Sequence, residues 1–172
     1  MKIVLYMAMT PNGIIARSNN KEDFLSDKHW KTLCDLTKKY KCLIWGRKTY
    51  EIVKKWEKRY MNSLKCKKKI IISSKPSLKL DKDCCLANSP KKALQEIKKQ
   101  GFKTALLCGG AKINSAFIKA NLIDEIILNI EPTLLGKGIH VFHEENFEKK
   151  LSLLKTKKIS QNIVQLHYRI KK

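Results

Sequence analysis

Hydrophobic and polar positions along the chain follow two alternating patterns, which predict strands and helices in turn. Short apolar runs have the length of buried strands, and the segments between them place apolar residues three and four positions apart, as helices do. The runs that predict strands are residues 2–9, 42–45, 69–73, 84–87, 104–108 and 125–130. The segments that predict helices are residues 27–39, 48–58, 90–100 and 111–120.

Small and polar residues mark where these helices begin and end. Ser26 is placed to cap the first helix, and Ser89 with Pro90 forms the usual start of the third. Gly101 follows the third helix, where glycine commonly ends one. These signals predict the helix boundaries independently of the apolar pattern.

The last part of the chain changes character. Residues 151–160 and 163–170 predict a β-hairpin around Gln161 and Asn162, because every second residue from 164 to 170 is apolar. The preceding strand–helix units predict a mostly parallel central sheet covered by helices on both faces, to which the hairpin adds an antiparallel edge. We therefore expect one α/β domain over residues 1–172.

Cysteine usage and hydropathy limit where the protein works. The apolar run at residues 1–9 has neither the basic start nor the cleavage site of a signal peptide, and no run is long enough to span a bilayer. The cysteines form no C-x-x-C pair and no zinc-like cluster with histidine, so we expect a reducing cytoplasm and no metal site. The cysteines are Cys34, Cys42, Cys66, Cys84, Cys85 and Cys108.

The net charge of +22, from 37 Lys and Arg against 15 Asp and Glu, raises the question of an anionic partner. The lysines occur as scattered doublets on the polar side of nearly every element, and no zinc finger, aromatic RNA-binding motif or basic zipper is present. This distribution favours a lysine-rich solvated surface. A non-enzymatic protein that binds nucleotides or nucleic acid through its positive field is the alternative.

Four strand-to-helix turns carry residues suited to an anionic ligand. The carboxyl ends of parallel strands meet at one edge of a sheet, which is where ligands bind in open α/β folds. The sequence "GGAK" brings backbone N–H groups and a helix N-terminus toward an anion, while "GRKT" and "SSK" add cations and hydroxyls. The alternative for the glycine pair is a tight packing turn. Together with "TPNGIIA", these turns suggest a ligand with several phosphates.

Asp27 is the acid of greatest interest, because it follows Phe24 and Leu25 and lies three residues before Trp30. One interpretation is a first-turn acid that complements the helix dipole. The other is a carboxylate in an apolar pocket with a raised pKa, able to handle a proton. The histidines share no spacing with one another and are interpreted as surface or packing residues.

The complete set of motifs resembles the dihydrofolate-reductase-like superfamily, including the C-terminal reductase domain of RibD-type riboflavin-pathway enzymes. The likeness covers nearly the whole chain. It is carried by "MAMTPNGIIA", "SDKHW", "CLIWGRKTYE", "IIISSKP" and "CGGAKINSAFIKANLIDEIILNIEPTLLGKG". The resemblance implies a three-layer α/β/α fold, NADPH as cofactor, a small-molecule substrate and a homodimer.

The same resemblance implies roles for particular residues. Asp27 is expected to be catalytic and to orient the heterocycle of the substrate. The other residues expected to bind substrate are Met7, Trp30, Asn129 and Glu131. Those expected to bind the cofactor are Ala8, Ile15, Ala16, Gly46, Arg47, Lys48, Thr49, Ser73, Ser74, Lys75, Cys108, Gly109, Gly110, Ala111, Lys112 and Ile113.

Two substrates stay open, because the chain shares features with both branches of the superfamily. "KTYEIVKKW" resembles dihydrofolate reductase at a place where RibD-type reductases carry "TVLADDP". Conversely, "PTLLGKG" and the lack of a Met-Pro-Trp loop resemble the RibD type. The resemblance thus implies hydride transfer to a pteridine or to a ribosylaminopyrimidine, and a third alternative is an unrelated substrate.

Overall fold

The computed structural model of the protein describes residues 1–171 and alternates strands with helices. The strands are β1 Lys2–Met9, β2 Ile14–Ala16, β3 Cys42–Gly46, β4 Lys68–Ile72, β5 Cys84–Ala87, β6 Thr104–Leu107, β7 Glu125–Ile130, β8 Ile139–His140, β9 Leu151–Lys158 and β10 Val164–Ile170. The helices are α1 Asp27–Tyr40, α2 Arg47–Lys55, α3 Lys58–Ser63, α4 Pro90–Lys99 and α5 Ala111–Lys119. Every element predicted from the pattern is present within a few residues.

The central sheet has eight strands in the order β5-β4-β3-β6-β1-β7-β10-β9. The six strands from β5 to β7 are parallel, and the connections between them run through helices except between β4 and β5, where residues 73–83 form a loop. β10 pairs antiparallel with β7, and β9 pairs antiparallel with β10. The predicted mostly parallel sheet with a C-terminal antiparallel hairpin is therefore confirmed.

Helices cover both faces of this sheet and create two cores. On one face, Leu33 of α1 and Tyr50 of α2 pack against the sheet, and on the other Ile97 of α4 and Phe117 of α5 do so. Full burial of such side chains stabilises the fold by roughly 1.5–3 kcal/mol each. The arrangement is the expected three-layer α/β/α fold.

The helix predicted over residues 48–58 is present as α2 but ends three residues early, and a second helix, α3, follows it. α2 ends where Trp56 adopts an extended backbone, with φ −70° and ψ 170°, and α3 then begins at Lys58. The break lets the Trp56 ring pack against Trp30 and Tyr60, with ring centroids 5.7 and 5.5 Å apart. Aromatic burial outweighs the hydrogen bonds that a continuous helix would add.

The pattern also missed a small sheet, and one of the two predicted caps lacks its side-chain hydrogen bond. β2 pairs with β8 in a separate two-stranded sheet whose strands are too short to show a period. Ser89 accepts a hydrogen bond from Lys92 N at 3.3 Å, as predicted for a cap. Ser26 occupies the N-cap position of α1, but its side chain makes no cap bond, and its hydroxyl donates to Glu131 at 3.2 Å.

All six cysteines are unpaired in the structure, including the adjacent Cys84 and Cys85. Burial raises the pKa of the Cys42 and Cys84 thiols to about 12, so both are protonated at neutral pH and unreactive. Within residues 1–171, no helix has the length and hydropathy to cross a bilayer.

Candidate active site

Two glycine turns meet at the carboxyl edge of the sheet. Because β3 and β6 are neighbours, Gly46 at the end of one lies against Gly109 after the other, and Gly46 N donates to Gly109 O at 2.8 Å. A Cβ on Gly46 would lie 2.8 Å from Ile113 Cγ1, and Gly109 has φ +79°, which glycine adopts without strain. The glycines thus have a packing role, whether or not a ligand approaches them.

The same contact brings the N-termini of α2 and α5 side by side. The first N–H groups of each helix have no partner within the helix and face outward with its positive dipole end. They border a cavity of about 450 Å³, which we call the basic cleft. Its walls include Ile15, Ala16, Asn20, Glu22, Gly46, Arg47, Lys48, Thr49, Ile52, Val53, Ile72, Ser73, Ser74, Gly110, Ala111, Lys112, Ile113 and Ile139.

Most of the residues expected to bind cofactor line this cleft, and four do not. Ala8 and Cys108 line a neighbouring pocket instead. Gly109 and Lys75 line neither cavity, and Lys75 contributes a backbone N–H that donates to Ser73 Oγ at 3.0 Å. The side chain of Lys75 therefore lies outside the group that the fold brings together here.

Three cations line the basic cleft: Arg47, Lys48 and Lys112. Arg47 Nη1 donates to Glu51 Oε2 at 2.6 Å, an i, i+4 ion pair that holds the guanidinium on α2. The cleft thus combines fixed cations, two hydroxyls after β4 and two helix N-termini, all of which are donors suited to phosphate oxygens.

A second, smaller cavity of about 70 Å³ adjoins the cleft, and we call it the aromatic pocket. Trp30 and Trp56 form part of its wall, with Tyr60 packed against both rings. Within the described chain, no lysine or arginine lines it. The pocket walls are Tyr6, Met7, Ala8, Ile15, Glu22, Leu25, His29, Trp30, Leu33, Trp45, Thr49, Val53, Trp56 and Cys108.

Asn129 lies behind this pocket and holds its wall in place. The Asn129 amide donates to Tyr6 OH at 3.1 Å and to Thr32 Oγ1 at 3.2 Å, and it accepts from Gln165 at 2.8 Å. Tyr6 OH in turn donates to His29 O at 2.9 Å. Asn129 is fully buried, so the structure places it one layer away from the position expected for a lining residue.

Glu131 is likewise fully buried behind the pocket. Its carboxylate accepts from Ser26 N and from Ser26 Oγ, both at 3.2 Å, at the start of α1. A carboxylate there complements the positive end of the helix. This pair fixes the position from which α1 presents His29 and Trp30 to the pocket.

Of the two interpretations of Asp27, the structure matches the first-turn acid. Its side chain is exposed in the first turn of α1 and lines neither cavity, so it matches a first-turn acid and not a carboxylate in an apolar pocket. The reason is helical geometry, because the inward-facing positions of this turn belong to His29 and Trp30. The catalytic role of Asp27 stays a prediction.

His29 lines the pocket, which corrects its interpretation as a surface or packing residue. Burial lowers the pKa of its imidazole, which favours the neutral ring at pH 7. Nδ1 lies 2.5 Å from the Ser26 carbonyl oxygen and therefore donates to it, which leaves Nε2 as an acceptor. Only its position one helical turn after Ser26 could have indicated this role.

Four residues line both cavities and form the junction between them: Ile15, Glu22, Thr49 and Val53. Glu22 is the only carboxylate on either wall in the described chain, and sequence reasoning missed it because nothing around it is periodic. Glu22 is exposed to solvent, and desolvation by the protein atoms around it raises the pKa of the carboxyl to about 7. The junction thus carries one ionisable group.

The sequence of the chain matches a known protein family. The family model described as the RibD C-terminal domain matches residues 1–165. The chain belongs to the RibD C-terminal domain family. The resemblance that the sequence motifs indicated is confirmed.

A relative in Bacillus subtilis (strain 168) supports the same assignment. The uncharacterized protein YwjB is 32% identical over 171 residues, covering 97% of both chains. A second uncharacterized protein of that organism, YyaP, is 25% identical over 177 residues, covering 97% of this chain and 94% of its own. The RibD C-terminal domain thus accounts for nearly the full length of these relatives.

Solved structures share the fold. A pyrimidine reductase-like protein from Corynebacterium diphtheriae superposes with a TM-score of 0.81 at 11% identity, covering 99% of this chain and 92% of that one. Acinetobacter baumannii RibD superposes with a TM-score of 0.80 at 18% identity, covering 99% of this chain and 58% of that one. This chain covers somewhat more than half of the latter protein.

Proposed function

We propose that the protein is an NADPH-dependent reductase that acts on a pteridine or a ribosylaminopyrimidine. The observation that carries the proposal is the junction at Ile15 and Thr49, where a cation-lined cleft with two helix N-termini opens into an aromatic pocket. A cofactor with several phosphates and a planar reacting ring needs this combination. Membership of the RibD C-terminal domain family supports the same chemistry.

The donor set of the basic cleft suits NADPH. The N–H groups at the starts of α2 and α5 would hold the pyrophosphate, Lys48 would neutralise its charge, and Arg47 would bind the 2′-phosphate. Ser73 and Ser74 would bind on the side of the 2′-phosphate. When bound, the cofactor supplies the hydride, and the protein supplies orientation and a proton.

The aromatic pocket suits the planar heterocycle of a substrate. Trp30 and Trp56 offer ring faces for stacking, and His29 offers an acceptor nitrogen. Since no cation lines this pocket in the described chain, a phosphate or carboxylate of the substrate would extend out of it. Dihydrofolate and 5-amino-6-(5-phosphoribosylamino)uracil are therefore both candidates.

The experiment is NADPH oxidation followed at its absorbance band, with dihydrofolate and the ribosylaminopyrimidine tested side by side. Turnover of one of them supports the reductase and identifies its pathway. The absence of NADPH binding would overturn the proposal, and salt-dependent binding of RNA or DNA in its place would favour the nucleic-acid alternative. Asp27→Asn belongs in the same series, since an orienting acid there would affect turnover and spare NADPH binding.

We also propose that the protein works as a homodimer. One face of the β9–β10 hairpin exposes Leu151, Leu153 and Val164, which are 40%, 56% and 38% accessible, and no helix covers them. A second copy would bury this apolar face. Light scattering on the purified protein measures the oligomeric state directly, and a monomer at micromolar concentration would contradict the proposed homodimer. The expected cytoplasmic location stays a prediction.

A further inference from the structure

The junction between the two cavities contains a single group that can exchange a proton. Of the four residues that line both, Ile15 and Val53 are apolar and Thr49 carries only a hydroxyl, so Glu22 alone ionises in the working pH range. A reaction between a ligand in the cleft and one in the pocket takes place at this junction. Glu22 is therefore the carboxyl nearest to where the reacting atoms would meet.

The loop that carries Glu22 is held by its own contacts. Arg17 Nε donates to Asp23 Oδ1 at 2.6 Å, and Arg17 N donates to Lys21 O at 2.8 Å, so the residues on either side of Glu22 are engaged. Glu22 O accepts from Leu25 N at 3.0 Å. Its carboxylate, in contrast, has no hydrogen-bond or ion-pair partner among residues 1–171, although the chain carries 37 Lys and Arg.

We infer that Glu22 is the catalytic residue that donates the proton in the reduction, an inference that rests on the proposed function. Reduction of a C=N or C=O bond adds a hydride to carbon and a proton to nitrogen or oxygen. The hydride comes from the cofactor, the Glu22 O–H bond breaks as its proton moves to the substrate heteroatom, and water reprotonates the carboxylate. Contact of Glu22 with solvent makes that return path available.

Charged and titratable groups line both walls next to Glu22. The charged groups on the cleft wall are Arg47 and Lys48 at the start of α2 and Lys112 at the start of α5. On the pocket wall, the titratable side chains are Tyr6 and Cys108, whose pKa values burial raises, and His29, whose pKa burial lowers.

On its own loop, the neighbours of Glu22 are Lys21 and Asp23, and Glu131 is buried behind Ser26. Desolvation raises the pKa of Glu22, which increases the share of the protonated, donating form near neutral pH, and that share decreases as the pH rises.

The test compares the wild-type protein with Glu22→Gln and, as the matched control, Glu148→Gln, an exposed glutamate outside both cavities. Dissociation constants of NADP⁺ and NADPH are measured by calorimetry at pH 6 and pH 8. Only NADP⁺ carries a positive nicotinamide, so an ionised Glu22 favours it. Because both cofactors carry the 2′-phosphate and meet the same lysines, the titration of these groups cancels in the ratio of the NADP⁺ and NADPH dissociation constants.

We expect the preference for NADP⁺ over NADPH to rise about two- to fivefold from pH 6 to pH 8 in the wild type and in Glu148→Gln. In Glu22→Gln the ratio of the two dissociation constants stays the same at both pH values. Turnover of the substrate that the wild type reduces is lower in this variant, and it no longer declines as the pH rises above 7. If both cofactors bind but the wild-type ratio stays constant, the role of Glu22 is overturned and the proposed function is not. The same holds if the ratio rises equally in Glu22→Gln. Binding of neither cofactor overturns the proposed function and this role with it.

Discussion

The basic cleft and the aromatic pocket share four wall residues but are built in different ways. The cleft consists of strand-to-helix turns, so its donors are backbone N–H groups and side chains within a few residues of a strand end, such as Gly46 and Ser73. The pocket consists of side chains from β1, β2 and the loop after it, α1, β3, α2 and the turn after it, and the end of β6. The basic cleft is thus a local feature that is repeated at several strand ends. The aromatic pocket exists only once the helices have packed on the sheet.

The two cavities also differ in what stabilises them. Cations and hydroxyls surround the cleft; water can reach the cations and Ser74, while the buried Ser73 accepts a hydrogen bond from Lys75 N. The pocket instead depends on buried polar groups, Asn129 and Glu131, whose hydrogen bonds must be made within the protein. Substitutions in the cleft are therefore expected to change ligand affinity, whereas substitutions behind the pocket are expected to change stability first.

The largest effect is expected behind the pocket, from Asn129→Ala. The change removes three hydrogen bonds and leaves the partners Thr32 and Gln165 without the amide. We expect the free energy of unfolding to fall by about 2–3 kcal/mol, measured by urea denaturation. Asn88→Ala, at an exposed position, is the control and should change it little. If both substitutions lowered the free energy of unfolding equally, the expected difference between the pocket and the rest of the molecule would be contradicted.

The next effect is expected in the cleft, from Arg47→Ala. Loss of a charge-assisted hydrogen bond to phosphate costs about 1.5–3 kcal/mol, which is roughly ten- to a hundredfold in affinity. We expect NADPH to weaken far more than NADH, with the unfolding midpoint nearly unchanged. Arg59→Ala is the control, because Arg59 pairs with Glu57 outside both cavities. A similar loss for both cofactors would argue against recognition of the 2′-phosphate by Arg47.

A smaller effect is expected from Gly109→Ala, which separates backbone strain from ligand approach. Gly109 and Gly101 have nearly the same φ, +79° and +77°, but only Gly109 lies beside the cleft. Alanine at either position should lower stability by about 1–2 kcal/mol. Only Gly109→Ala should also weaken NADPH binding in a fluorescence titration. If Gly101→Ala weakens it equally, the cause is general destabilisation.

The smallest effect is expected from the pH dependence of stability at His29. Its folded pKa is lowered from the ordinary value near 6.5, so the unfolded chain binds the proton at a higher pH than the native protein. The contribution of His29 to stability is therefore present above about pH 6.5 and is lost as the pH falls below it. His29→Gln should show a shallower loss between pH 7 and pH 5 in thermal denaturation. His140→Gln, at an exposed position, should follow the wild type.

The sequence by itself determined the order of the main elements, the parallel sheet, the hairpin and the strand-to-helix turns of the basic cleft. Each depends on local information: the period of apolar residues, or a glycine, a cation or a hydroxyl directly after a strand. Turns such as those at Gly46 and Gly110 stay close in space wherever the parallel strands stay adjacent. That is why the motif-based expectations for Arg47, Ser73 and Ala111 agree with the walls of the cleft.

Only the tertiary structure decided which side chains face the aromatic pocket. Whether Asp27 or His29 points inward depends on how α1 is rotated over the sheet, and the buried contact between Ser26 and Glu131, 105 residues apart, sets that position. Whether Glu22 has a partner depends on a loop without any period, closed by the pair of Arg17 with Asp23. Such contacts join residues distant in sequence, and their free energy arises only when packing removes water from between them.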